Sequence, residues 1–183
     1  MNKNKEEIRR TMRKLNQTMR NVDHGAEDMA TVTALLNASI FHKSDRIFAF
    51  MPLFSEVDIT PVLQAALKTK RLALPRSNGD DTLTFIEVNN LDELMPGRFG
   101  ILEPGADVEI QPTPDSLIIV PALAYTPKRV RLGRGKGFYD RYLERFPDPT
   151  SIGVCRTWQL IEELPVSVYD RQVDSLLCNG TWY

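Results

Sequence analysis

Two short runs in this 183-residue chain are apolar at every position: Ile47-Phe48-Ala49-Phe50-Met51, ended by Pro52, and Leu117-Ile118-Ile119-Val120, ended by Pro121. A strand without polar alternation has no face to show to water, so both faces must be covered. Such strands belong to parallel sheets with helices above and below. The rest of the chain supplies those helices. Ile8, Met12, Leu15, Met19 and Val22 recur at steps of four and three, which predicts a helix from Lys3 to about Asn21. A second is predicted from Glu27 to Ile40, with Met29, Val32, Leu36 and Ile40 as its stripe. A third covers Thr60 to Lys70, with Pro61 suited to its first turn and Val62, Leu63, Ala66 and Leu67 facing inward.

Between and after them come strands at Arg71–Leu74, closed by Pro75, and at Thr82–Val88, then a helical turn at Leu91–Leu94. Residues 96 to 114 are rich in Pro and Gly and read as an ordered loop over the sheet. A helix from Phe138 to Phe146, a strand at Ser151–Cys155 and a late strand near Gln172–Leu177 complete the chain. The alternation predicts an α/β fold, a three-layer sandwich with a mainly parallel central sheet, in one domain over residues 1–183. Ligands of such sheets gather beyond the carboxyl ends of the strands. The segments after Met51, Pro75 and Val120 are therefore the ones to question.

Composition removes several function classes. Twenty-three basic residues against 24 acidic leave a net charge of -1, which argues against a nucleic-acid coat or a polybasic membrane binder. Two cysteines, Cys155 and Cys178, cannot make a disulfide framework or complete a four-ligand zinc site, and His24 and His42 leave little room for a histidine-rich centre. The N-terminus is charged from Lys3 onward, and no run approaches the roughly 20 apolar residues that cross a bilayer. A reduced, cytoplasmic protein is the expectation.

The most informative segment is Arg131-Leu132-Gly133-Arg134-Gly135-Lys136-Gly137-Phe138-Tyr139-Asp140. Glycine lets the backbone approach a ligand and take up positive φ. Successive N–H groups, followed by a helix N-terminus, suit a phosphate. Lys128, Arg129, Arg131, Arg134 and Lys136 place five cations in nine residues with no acid among them. No Ser or Thr follows Lys136 as in a Walker A loop, and Phe138 stands where the dinucleotide fingerprint has its third glycine. A mobile surface hairpin with solvated charges is the competing reading. Its position after the strongest strand and before a helix favours the phosphate site.

Asp140, in the first turn of that helix, either complements the helix dipole or binds magnesium. Asp174 is a plausible second carboxylate. Tyr139 and Tyr142 have the spacing of packing residues. Glu56 is a loop acid that could hydrogen-bond a ring amide and amine, and Lys5 and Arg9, one turn apart, could reach one anion or simply face solvent. Cys155 reads as a buried inert thiol, and neither histidine has a catalytic partner pattern.

The segment from Arg131 to Asp140 resembles the Arg-Leu-Gly-x-Gly-x-Gly-x-Tyr-Asp signature of the 5-formyltetrahydrofolate cyclo-ligase family, also called methenyltetrahydrofolate synthetases. Other elements resemble that family in its order: Lys5-Glu6-Glu7-Ile8-Arg9, Phe50-Met51 with Glu56-Val57-Asp58, Leu74-Pro75-Arg76, Phe99-Gly100-Ile101 with Glu103-Pro104, and Val120-Pro121-Ala122-Leu123-Ala124. Gly153-Val154-Cys155, Gln159-Leu160, Leu164-Pro165, Asp170 and Val173-Asp174 follow. Val130 and Tyr169 stand where glycine and histidine are common.

The resemblance implies a Rossmann-like, CoA-transferase-like sheet and a C–N bond-forming ligase. Such an enzyme converts 5-formyltetrahydrofolate and MgATP to 5,10-methenyltetrahydrofolate, ADP and phosphate. The formyl oxygen is phosphorylated and N10 then attacks within the same molecule. Ring closure of one bound molecule avoids the entropic cost of joining two, and phosphoryl transfer calls for positioning and charge neutralisation rather than a protein nucleophile. By the resemblance, Lys5, Arg9, Arg131, Leu132, Gly133, Arg134, Gly135, Lys136, Gly137, Phe138 and Tyr139 hold ATP, with Arg134 and Lys136 on the transferring phosphate. Asp140 and Asp174 hold Mg²⁺. Met51, Glu56 and Tyr139 bind the folate, with or without a polyglutamate tail. No nucleic-acid or membrane partner is implied, and a monomer or weak homo-oligomer is the expectation. Two rivals stay open: a sugar-phosphate isomerase or CoA-transferase-like enzyme, and a nucleic-acid binder using the 128–136 cations.

Overall fold

The computed structural model describes residues 4–80, 82–105 and 107–183. Asn4 opens α1 (Lys5–Thr18): its side chain accepts from Glu7 N at 2.9 Å while Glu7 reaches back to Asn4 N, which satisfies two donors the first turn leaves unpaired. The predicted start at Lys3 lies outside the described residues. The end of that predicted helix is a 3-10 turn, Met19–Asn21.

The second predicted helix is two. α2 (Gly25–Leu36) stops at Asn37, Ala38 is extended, and α3 (Ser39–Lys43) restarts the chain in a new direction. The break lets Phe41 enter the core, and Leu35 takes the buried place assigned to Met29, which is exposed.

Next in order are β1 (Arg46–Phe48), α4 (Thr60–Thr69), β2 (Arg71–Ser77), β3 (Leu83–Val88), β4 (Leu94–Pro96), β5 (Leu102–Pro104), β6 (Leu117–Val120), β7 (Ala124–Tyr125) and β8 (Arg131–Leu132). The chain ends with α5 (Phe138–Arg145), β9 (Thr150–Cys155), β10 (Ser175–Cys178) and β11 (Thr181–Trp182). Seven strands form one sheet in the order β11-β10-β9-β6-β1-β2-β3. Its five inner strands pair in parallel, and the outermost pairs, β2 with β3 and β10 with β11, are antiparallel.

The continuous apolar runs do what their composition requires. Ile47, Ala49, Leu72, Leu74, Leu117 and Ile119 pack into one core with residues of α2 and α4. Phe48, Ala73, Ile118 and Val120, alternating with them, pack on the opposite face with Tyr142 and Leu143 of α5. This is the expected sandwich. Gly153 on β9 is required by close approach: a Cβ there would come within 2.6 Å of the ring of the fully buried Tyr125.

Several boundaries differ from the sequence expectation. β1 ends at Phe48, although Ala49 N still donates to Ala73 O. β2 runs through Pro75, beyond the residues that β1 covers, where a missing N–H is tolerated. The 96–114 loop includes β5, paired with β4 as a small hairpin. The last predicted strand begins at Ser175, not Gln172, and continues into an unforeseen hairpin. Asn179 and Gly180, at φ 46° and 76°, form its turn, the two-residue Asn-Gly connection that matches strand twist.

Candidate active site

The chain leaving β1 and β6 and the far end of β2 open onto one cleft of about 810 Å³. Its apolar floor is Phe50, Met51, Leu53, Pro75 and Pro121, all at or just beyond those strand ends. The glycine loop forms one wall. On it Gly135 has φ 113° and Gly137, which precedes α5, has φ 68°, conformations that a side chain with Cβ rarely adopts.

Three carbonyls of this loop are taken by arginines. Arg9 Nε donates to Gly133 O at 3.1 Å, Arg13 Nη2 to Arg134 O at 3.3 Å, and Arg141 Nη2 to Lys136 O at 2.9 Å. The guanidinium groups from α1 and α5 thus offset the oxygens that would repel an anion. Arg9 was singled out from the sequence; Arg13 and Arg141 were not.

The opposite wall is the turn that carries Glu56. Glu56 N donates to Leu53 O at 2.9 Å and Leu53 N donates to Glu56 Oε2 at 3.0 Å, so the carboxylate is folded over its own turn. Across the cleft Arg134 Nη2 donates to Glu56 Oε1 at 2.9 Å. Residues 78 apart in sequence therefore join the cation loop to the buried carboxylate.

Arg131 has a different environment from its neighbours. Its side chain is buried, donates from Nη2 to Asp140 Oδ1 at 2.7 Å, and lies 5.7 Å from the centre of the Tyr139 ring. Leu132 packs with Met12, Leu123 and Ala124 and has core character, although it borders the cleft. Tyr139 Oη is buried and meets no hydrogen-bond partner among the described residues. Burial, and next the nearby Glu56 charge, push the Tyr139 hydroxyl well above the usual phenol range, against a smaller opposing pull from Arg131. It is a neutral donor at any working pH.

The two carboxylates expected to act together are separated. Asp140 lines the cleft, and its Oδ1 also accepts from Arg171 N at 3.2 Å. Asp174 is not among the cleft residues. Its Oδ2 accepts from Ser151 N and Ser151 Oγ, both at 2.7 Å, and its own N–H donates to Ser151 O. That pairing ties the entry of β10 to β9 and places Asp174, expected from the sequence as a second Mg²⁺ carboxylate beside Asp140, outside the residues that line the cleft.

Asp170, four residues earlier, does line the cleft. It stands one residue before the Arg171 amide that touches Asp140, and Lys5 Nζ donates to both of its oxygens. Burial alone would raise its pKa, but hydrogen bonds from Lys5 and Ser167 N hold it below the usual carboxylate range. Among the described residues no group of three or more His, Cys, Asp or Glu is poised to hold a metal.

Lys5, Arg9, Met51, Glu56, Arg131 to Asp140, and Asp170 thus share one cleft; Asp174 does not. Comparison with known proteins gives a consistent picture. A model of the 5-formyltetrahydrofolate cyclo-ligase family matches residues 1–179. A probable 5-formyltetrahydrofolate cyclo-ligase of Caenorhabditis elegans is 26% identical, over 96% of this chain and 93% of that protein. The 5-formyltetrahydrofolate cyclo-ligase of Escherichia coli K12 is 30% identical, over 68% of this chain and 72% of its own. The solution structure of Aquifex aeolicus 5,10-methenyltetrahydrofolate synthetase superposes with a TM-score of 0.82 at 31% identity, covering 97% of this chain and 91% of that one.

Proposed function

The chain belongs to the 5-formyltetrahydrofolate cyclo-ligase family, and from that premise we propose how its cleft divides the labour of an ATP-dependent ring closure. The overall reaction is that of a ligase of folate one-carbon metabolism: 5-formyltetrahydrofolate becomes 5,10-methenyltetrahydrofolate. The reaction needs a poor leaving group, the formyl oxygen, to be phosphorylated before N10 of the same folate attacks.

The glycine loop, with Lys5 and Arg9 behind it, holds the ATP phosphates. Arg134 and Lys136 set positive charge where phosphoryl transfer develops negative charge, in a cleft with an apolar floor where such charges act more strongly than in water. Glu56 accepts hydrogen bonds from the pterin amide and amine, Met51 packs on the ring, and the neutral Tyr139 hydroxyl faces the folate as a donor.

Asp140 and Asp170 are the carboxylates that suit Mg²⁺. They offer hard oxygen donors in a site with no closed protein cage, and this ion usually takes one or two carboxylates and completes its shell with phosphate oxygens and water. Bound there, Mg²⁺ supplies neutralisation of the phosphate oxygens. The same reading takes the protein as a cytoplasmic monomer or weak homo-oligomer, without nucleic-acid or membrane partners. Its two free, buried thiols suit a reducing compartment, and among the described residues no helix is long and apolar enough to cross a membrane.

The observation that carries the reading is the 2.9 Å contact of Arg134 with Glu56, because it brings a phosphate-binding group within reach of a pterin-binding one. Purified protein incubated with 5-formyltetrahydrofolate and MgATP should develop the near-ultraviolet absorbance of the methenyl product. Omission of either ATP or Mg²⁺ should abolish it. Absence of product, or equal product without ATP, overturns the reading.

A further inference from the structure

Among the described residues, an ion pair that the reaction does not use is buried outside the cleft. Arg156, just after β9, and Asp28, on α2, are 5% and 8% exposed. Arg156 Nε and Nη2 donate to Asp28 Oδ1 and Oδ2, both at 2.8 Å, a two-pronged match of guanidinium to carboxylate. Burying a pair like this gains little stability over apolar side chains of the same size. Stability is thus a poor explanation for it.

The remaining bonds of the pair are more specific. Arg156 Nη1 donates to Phe54 O at 2.9 Å, and Asp28 Oδ2 accepts from Asp58 N at 3.1 Å. Those two backbone groups lie two residues before and two residues after Glu56. The arginine is itself tied to Ala122, which lines the cleft: Arg156 N donates to Gln159 Oε1 at 3.0 Å, and Gln159 Nε2 donates to Ala122 O at 3.1 Å. Apolar replacements could fill the space but could neither donate to Phe54 O nor accept from Asp58 N.

We propose that Arg156 and Asp28 are positioning residues for folate binding, clamping the 53–58 turn on both sides of Glu56 so that its carboxylate is presented to the cleft. The proposal rests on the reading of Glu56 as the pterin ligand. It predicts that loosening the clamp harms folate recognition and leaves nucleotide recognition alone, since the loop that holds phosphate is anchored by α1 and α5.

Two variants test it. Arg156→Lys keeps a cation opposite Asp28 but loses the forked geometry. The double variant Asp28→Leu/Arg156→Met removes the pair without leaving a lone buried charge and keeps an apolar filling, so it is expected to fold. Both should show a KM for 5-formyltetrahydrofolate raised about tenfold, with the KM for ATP within about twofold of wild type. Melting temperature is measured alongside. A purely structural role would instead lower kcat through loss of active protein and leave both KM values in place; that result overturns the proposal, as does a wild-type folate KM in either folded variant. Glu56→Gln is run in the same assay. If it raises the folate KM and the clamp variants do not, the clamp alone is refuted. If it leaves the folate KM unchanged, or wild type makes no methenyl product, the underlying site reading fails and the clamp with it.

Discussion

The two walls of the cleft are built on opposite principles. On one, Arg134 is 45% exposed, and the loop backbone is strung between arginines of α1 and α5; on the other, the Glu56 carboxylate is 8% exposed and folded onto its own turn. Phosphates are strongly hydrated and repel backbone oxygens, so their wall needs several cations that can follow the charge as it moves. A pterin edge is flat and carries N–H donors in a set direction, so its wall needs an acceptor that does not move. Desolvating that acceptor is costly unless it is paired, and Leu53 N and Arg134 provide the pairing. On the proposed roles, each wall has its own kinetic parameter. Cations acting on charge that builds only in the transition state govern kcat, and a fixed carboxylate that meets the ground state governs KM.

The largest effect that could break this division is on the cation wall. Lys136→Ala should lower kcat by about 10²- to 10³-fold, with the folate KM changed by no more than about twofold and the circular dichroism spectrum unchanged. Near-normal turnover would remove Lys136 from the phosphate role. On the other wall, Glu56→Gln presents a donor where the pterin also donates. Loss of a hydrogen bond to a charged group is worth about 1.5–3 kcal/mol, so the folate KM should rise roughly 10- to 100-fold with a much smaller change in the KM for ATP. Steady-state kinetics with each substrate varied in turn separates the two. Equal changes in both KM values would mean that the Arg134–Glu56 contact makes the walls a single unit.

Legibility in the sequence follows the range over which each feature is determined. Leu117–Val120 and the glycine loop declare themselves locally: one has no polar face, the other demands backbone geometry that only glycine adopts readily. The Asn179-Gly180 hairpin was equally local and needed only to be read as a turn signal. The break between α2 and α3 is different, because it is decided by Phe41 finding the core, and helix periodicity over residues 27–40 cannot see that. The partners of the site are farther apart still. Arg134 meets Glu56 across 78 residues, Arg156 meets Asp28 across 128, and Lys5 meets Asp170 across 165. Nothing in residue spacing distinguishes those partners from ordinary surface charges. The family signature supplied the loop and Asp140; only the fold decided which later aspartate reaches them.

Asp170 and Asp174, four residues apart, give the smallest and sharpest test of that decision. Asp170→Asn should increase the Mg²⁺ concentration needed for half-maximal rate several-fold, since it replaces a charged carboxylate of the cleft by a neutral amide, a weaker partner for a hard cation. Asp174→Asn should leave the Mg²⁺ requirement unchanged and weaken the β9–β10 tie to Ser151, at a cost of about 1 kcal/mol or roughly 2–4 °C in melting temperature. Acid unfolding adds an independent reading. The folded Asp170 carboxyl titrates below its ordinary value near 3.8, so the stability it contributes is fully present above about pH 4 and is lost as pH falls through the depressed value. In Asp170→Asn that part of the acid limb should flatten. If instead Asp174→Asn changes the Mg²⁺ requirement and Asp170→Asn does not, the cation sits at the β10 entry beside Ser151 and not between Asp140 and Asp170.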